Sequence, residues 1–222
     1  MFDSVDHRKR EQAISCIRNL TCCKWMMAAN LLAFLLTELT GFSEDARHML
    51  SLGAAYEPLL SAGQYYRLFT SMFLHFGMEH LLNNMLVLYV VGERLERAVG
   101  RWRFLLIYLG GGVAGNVLSW QMEKNLQYPP VAAGASGAVF AIVGGMLFVV
   151  IANRGRLADL TFRQMLFMAA ASLYMGVAEK GVDNAAHFGG LVAGFLLAAL
   201  LYLFITPGSR REFSESGRSW RR

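Results

Sequence analysis

The stretch "VAAGASGAVFAIVGGMLFVVIA", residues 131–152, sets a single hydroxyl, Ser136, between Gly134 and Gly137 at the mouth of an apolar run. The run from Ala138 to Ala152 carries no polar side chain. As a helix it rises about 22 Å at about 1.5 Å per residue, short of a hydrocarbon core about 30 Å thick. Entered from the outer side of a membrane, such a helix starts below the surface, which puts Ser136 at membrane depth. The preceding "YPPVAAGA" is then non-helical backbone at that depth, tolerated only against protein or a water-filled cavity. The expectation is a serine at a recessed, wet helix start.

The rest of the chain fits a membrane. Of 222 residues, 55% are hydrophobic and only 17% are charged, and the mean hydropathy is +0.37. Apolar runs near 25–40, 80–99, 104–120, 138–152, 166–178 and 185–205 predict six membrane-spanning helices, an all-α polytopic bundle. The expected organisation is a polar N-terminal extension (1–24), a six-helix domain (25–205) and a polar, disordered tail (206–222). A long first connection, 41–79, holds Tyr56, Tyr65 and Tyr66, aromatics suited to a membrane interface. No internal repeat is present.

Charge orients the bundle. Seventeen of the 21 Lys and Arg residues fall before the first span, between the second and third, between the fourth and fifth, or after the sixth. Only Arg47, Arg67, Lys124 and Lys180 lie on the other side. The positive-inside rule then places both termini in the cytoplasm. The pI of about 9.3 follows from this orientation and from contact with anionic headgroups, so no nucleic-acid partner is needed. Cys16, Cys22 and Cys23 sit at the cytoplasmic end, where thiols stay reduced. They lack zinc-type spacing, and lipidation of the juxtamembrane pair is only weakly suggested.

Strongly polar residues inside spans are costly and are functional candidates. Four stand out: His80, Asn84, Ser136 and His187. Ser136 alone also suits close helix packing, as Gly, Ala and Ser commonly do. His187 borders a small-residue stripe, Ala186, Gly190 and Gly194, matched on the fourth span by Gly137, Ala141 and Gly145. Packing of the two stripes could bring Ser136 and His187 together as nucleophile and base. The bland alternative is a buried histidine bonded to a neighbour. His80 and Asn84, four residues apart, share a helix face, either as oxyanion donors or as an interhelical hydrogen-bonding pair.

Metal chemistry finds little support. No H-E-x-x-H occurs, and on a regular helix His75 and His80 lie about 140° apart, too far around to share one metal. Asp183, one turn before His187, fits a helix cap better than a triad member. The residues therefore favour a Ser136–His187 dyad, and neither a metal nor a cofactor is expected. A channel or transporter would call for paired carboxylates or an inverted repeat, and neither is found.

"GASG" opening a span, "AHFGGLVAG" in the last span and "HLLNN" in the second resemble the rhomboid intramembrane serine proteases, over about residues 60–205. The resemblance implies cleavage of a peptide bond in or beside a transmembrane segment of a single-span or polytopic membrane-protein substrate, without metal or cofactor. It also implies residence in a bacterial inner membrane. Carried over, Ser136 attacks the carbonyl, His187 serves as base and then acid, and the Ser136 N–H, His80 and Asn84 hold the oxyanion. Tyr66-Arg67 matches a Trp-Arg pair of the family's first loop, and Gly92 and Glu96 match its structural Gly-x-x-x-Glu. Phe140 stands where a tyrosine often packs on the histidine, and Gly134, Gly137, Gly190 and Gly194 support the packing. Inactive members that bind or retain membrane proteins are the alternative.

Overall fold

The structure, a computed structural model, describes residues 21–153, 156–157, 160–178 and 181–203. The extension as far as residue 20, with Cys16, and the tail 206–222 lie outside the described residues.

Over their described residues, all six apolar runs fall on helix. The first, α1 (Cys22–Thr40), is followed by three short helices of the long connection: α2 (Ala46–Leu52), α3 (Glu57–Ser61) and α4 (Arg67–Thr70). The second run forms α5 (Gly77–Val87) and α6 (Glu93–Val99), joined through a π turn at Leu88–Gly92. Then come α7 (Arg101–Glu123), α8 (Ser136–Ala152), α9 (Phe162–Ala178) and α10 (Asn184–Leu203). By length and composition, α1 and residues Asn184–Tyr202 of α10 are long and apolar enough to cross a membrane, and α8 is a shorter apolar helix.

Local chemistry sets these boundaries. Asp45 caps α2 by accepting the Arg47 N–H at 2.8 Å, and α2 stops at Gly53, in the left-handed region. Pro58 enters the first turn of α3, where its missing N–H costs nothing. The start of α1 is capped from far along the chain. The Glu96 carboxylate accepts the Cys22 and Cys23 N–H groups at 2.8 and 2.7 Å, a charge-assisted pair at the positive end of the helix. Gly92 leaves room for this docking, because a Cβ there would stand 2.9 Å from the Cys23 Sγ. The expected structural role of Gly92 and Glu96 thus takes a definite form. Together they bind the first helix to the second.

The centre of the molecule is α8, apolar around its whole circumference and buried from Gly137 through Met146. Such a helix needs neighbours on all sides, and α7 and α10 supply the closest ones. A Cβ on Gly190 would strike the Gly137 carbonyl, and one on Gly194 the Ala141 carbonyl. On α7, a Cβ on Gly111 would strike the Ala141 side chain, and one on Gly115 would lie 3.1 Å from the Gly190 nitrogen. The small-residue stripes expected on the fourth and sixth spans therefore do meet. The third span contributes a further glycine set, "GGGVAG", to the same contact.

Candidate active site

Ser136 is the first residue of α8, after Ala135 at φ −73°, ψ −2°. The two peptide N–H groups ahead of it are both bonded. Gly134 donates to the Ser71 carbonyl at 3.0 Å and Ala135 to the His75 Nε2 at 3.3 Å. The next helical bond is Val139 to the Ala135 carbonyl, at 2.9 Å. The N–H groups of Ser136, Gly137 and Ala138 thus have no carbonyl of an earlier turn to bond, the ordinary condition of a helix start. These donors, with the dipole behind them, suit a developing negative charge.

The segment ahead of Ser136 is tied down. Val131 and Ala132 pair antiparallel with Tyr56 and Ala55 of the first connection. Arg67, 6% exposed, supports that connection from within by donating to the Leu50 and Ala54 carbonyls at 2.8 and 2.9 Å. Its neighbour Tyr66 is exposed, with the guanidinium 5.3 Å from its ring centre. The Tyr66-Arg67 pair therefore divides its work between an outward aromatic and an inward organiser. Gly134 has φ +149°, and a Cβ there would come within 2.6 Å of the His80 ring. Backbone conformation and close approach both call for glycine at this point.

His187 stands in the first turn of α10. Its ring stacks on Phe140, with centres 4.3 Å apart and planes 16° apart. The expected packing of a phenyl ring on the histidine is present without a phenol. The His187 Nδ1 has no hydrogen-bond partner among the described residues. Asp183 is engaged elsewhere: one oxygen accepts the Ala186 N–H at 2.8 Å and the other the Ser119 hydroxyl at 2.6 Å. It caps α10, as its sequence position suggests.

Ser136, His80, Asn84, Phe140 and His187 all line one cavity of about 1160 Å³. Among the described residues no hydrogen bond links the Ser136 hydroxyl to the His187 ring. The Asn84 amide donates one N–H to the His80 carbonyl one turn back at 3.1 Å, which leaves its second N–H for a ligand. No group of three or more metal-ligating side chains occurs among the described residues.

His75 and His80 do not share a regular helix, because α5 begins only at Gly77. Their rings meet edge-on with centres 5.2 Å apart. Sequence reasoning also passed over Asn116, which donates to the Leu68 carbonyl and the Ser71 hydroxyl at 2.8 and 3.1 Å. Asn116, Ser119 and Glu123 line the same cavity. Their signal was available as polar residues in the last two turns of α7.

The fold and site define a helical bundle built around an internal polar cavity, with a half-buried serine at a helix start facing it. The chain belongs to the rhomboid family, whose domain model matches residues 62–204. It is 36% identical over 198 residues to the rhomboid protease GluP of Bacillus subtilis, covering 89% of this chain but 38% of GluP. It is 36% identical over 138 residues to YdcA, a second rhomboid-named protein of that bacterium, covering 62% of this chain and 68% of YdcA. It is also 30% identical over 178 residues to rhomboid-like protease 3 of Toxoplasma gondii, covering 78% of this chain and 66% of that protein. The chain thus spans well under half of GluP and about two thirds of the other two.

Proposed function

We propose that this protein is an intramembrane serine endopeptidase that cleaves membrane-protein substrates in or beside their transmembrane segments through a Ser136–His187 dyad. The observation that carries the reading is the convergence of Ser136 and His187 on one cavity, produced by the glycine contact between α8 and α10. In this reading the Ser136 Oγ adds to the scissile carbonyl carbon while His187 takes the hydroxyl proton. The tetrahedral oxyanion is held by the Ser136 N–H, the His80 ring and the Asn84 amide. Collapse breaks the C–N bond as His187 returns the proton to the leaving amine. Water, activated by the same histidine, then releases the acyl group. The reading requires the Ser136 hydroxyl and the His187 ring to come into contact when substrate arrives, and apo geometry is often looser than the reacting one.

The same reading takes the six apolar helices as membrane spans, with both termini cytoplasmic and residence in a bacterial inner membrane. It needs no metal or cofactor. The missing Ser136–His187 hydrogen bond supports a second reading, a non-cleaving member that binds membrane proteins in the same cavity. Reconstitution in liposomes with a panel of single-span substrates separates the two. The wild type should cleave at least one substrate, and Ser136→Ala and His187→Ala should lower the rate by at least about 10³-fold. Equal cleavage by wild type and Ser136→Ala would exclude the serine mechanism.

A further inference from the structure

His75 is fully buried in the turn before α5. The proposed dyad and oxyanion donors leave it without a role, yet it touches two parts of that machinery at once. Its Nε2 accepts the Ala135 N–H at 3.3 Å. Its ring meets the His80 ring edge-on at 5.2 Å, with 70° between planes.

The Gly134–Ala135 peptide is the last one before the peptide that carries the Ser136 N–H. With Gly134 bonded to the Ser71 carbonyl and Ala135 bonded to His75, two successive peptides are fixed. The third is then set by the Ala135 torsions alone, φ −73° and ψ −2°. The acceptor role requires an unprotonated Nε2, so the ring proton sits on Nδ1. A doubly protonated ring would set one N–H against another and release the peptide. His80 is confined as well, between the His75 ring and the Gly134 backbone, where even a Cβ would not fit.

The geometry points to His75 as a positioning residue: by holding the Ala135 N–H and the His80 ring, it sets two of the three proposed oxyanion donors, the Ser136 N–H and the His80 ring. This inference rests on the proposed reading of Ser136 as nucleophile. His75 touches no reacting atom. Its effect is on where the donors stand when charge develops, and misplacement by about 1 Å can cost about 10²-fold in rate.

The test uses the full chain in detergent micelles, with His75→Gln, His75→Asn and His75→Leu. A glutamine oxygen reaches the position of Nε2, whereas an asparagine oxygen reaches only that of Nδ1. Active sites are counted by fluorophosphonate labelling, and kcat, KM and the labelling rate constant are expressed per labelled site. Expected for Asn and Leu is a fall of about 10–100-fold in kcat and in labelling rate, with KM within about 2-fold of wild type. Glutamine should recover to within about 3-fold. A purely structural role would reduce the number of labelled sites and leave the rate per site unchanged, and that result would overturn the inference. So would glutamine performing no better than asparagine, a comparison that stands even if His75→Leu fails to fold. Wild type that neither labels at Ser136 nor cleaves would overturn the proposed function itself, and with it this role for His75.

Discussion

The Ser136 hydroxyl gains its chemical interest from what its neighbours lack. Gly134 has no side chain to hold His80 away, and Gly190 none to keep α10 away from Gly137. His187 in turn has a phenyl ring for support and no carboxylate on its Nδ1 among the described residues. That makes Asp183 the decisive residue for choosing between a dyad and a triad. Both its oxygens are committed, one to the Ala186 N–H and one to Ser119. Asp183→Ala should keep most of the cleavage activity. Its cost should appear in stability, at about 1 kcal/mol for a lost cap, read as a lowered unfolding midpoint in detergent. A folded but inactive Asp183→Ala protein would argue for a triad instead.

Among the elements, the pair α8 and α10 positions the chemistry through backbone-to-backbone contact. Gly190 meets Gly137 one residue from Ser136, and Gly144 meets the Leu191 carbonyl two turns further along. Gly190→Ala and Gly144→Ala should both destabilise the protein, by about 1–3 kcal/mol or more, since the obstacle is backbone rather than a flexible side chain. They should differ in activity. Gly190→Ala wedges the helices apart beside the dyad and should lower the cleavage rate far more than Gly144→Ala does. Equal activity losses at equal stability would mean that the contact serves folding alone.

Much of this was legible in the sequence, for physical reasons. Ala186, Gly190 and Gly194 recur every four residues, and a helix turns such spacing into a flat face. The shortness of the apolar run after Ser136 located a helix start, because length and rise per residue are fixed. What stayed hidden depended on contacts distant in the chain. Glu96 matches a structural Gly-x-x-x-Glu, but its partners, the Cys22 and Cys23 N–H groups 74 and 73 positions away, carry no local signature. The pairing of Ala55 with Ala132 has no local signature either, being only two residues long on each side. The contacts of His75 stayed hidden because it lies before α5, which begins at Gly77, and its partners Ala135 and His80 are set by the fold.

At the scale of the whole molecule, the glycine-lined contacts of α7, α8 and α10 form a rigid centre, with the first connection locked onto it. Asn116 of α7 holds that connection through Leu68 and Ser71, and the Ala55–Ala132 pairing holds the segment before Ser136 to it. The loops that frame the serine are therefore fixed by the same centre that brings α10 to it. The orientation of the bundle is a separate expectation. Alkaline phosphatase fused to the C-terminus should be inactive, and a fluorescent protein fused there should fold. An active phosphatase fusion would reverse the proposed topology. The central claim is that Ser136 is a nucleophile activated by His187. It is tested most directly by treating the purified protein with a fluorophosphonate and mapping the adduct by mass spectrometry. The account predicts a single adduct on Ser136, lost in Ser136→Ala and strongly slowed in His187→Ala. An unmodified Ser136 in folded wild-type protein, or labelling as fast without His187, would contradict it.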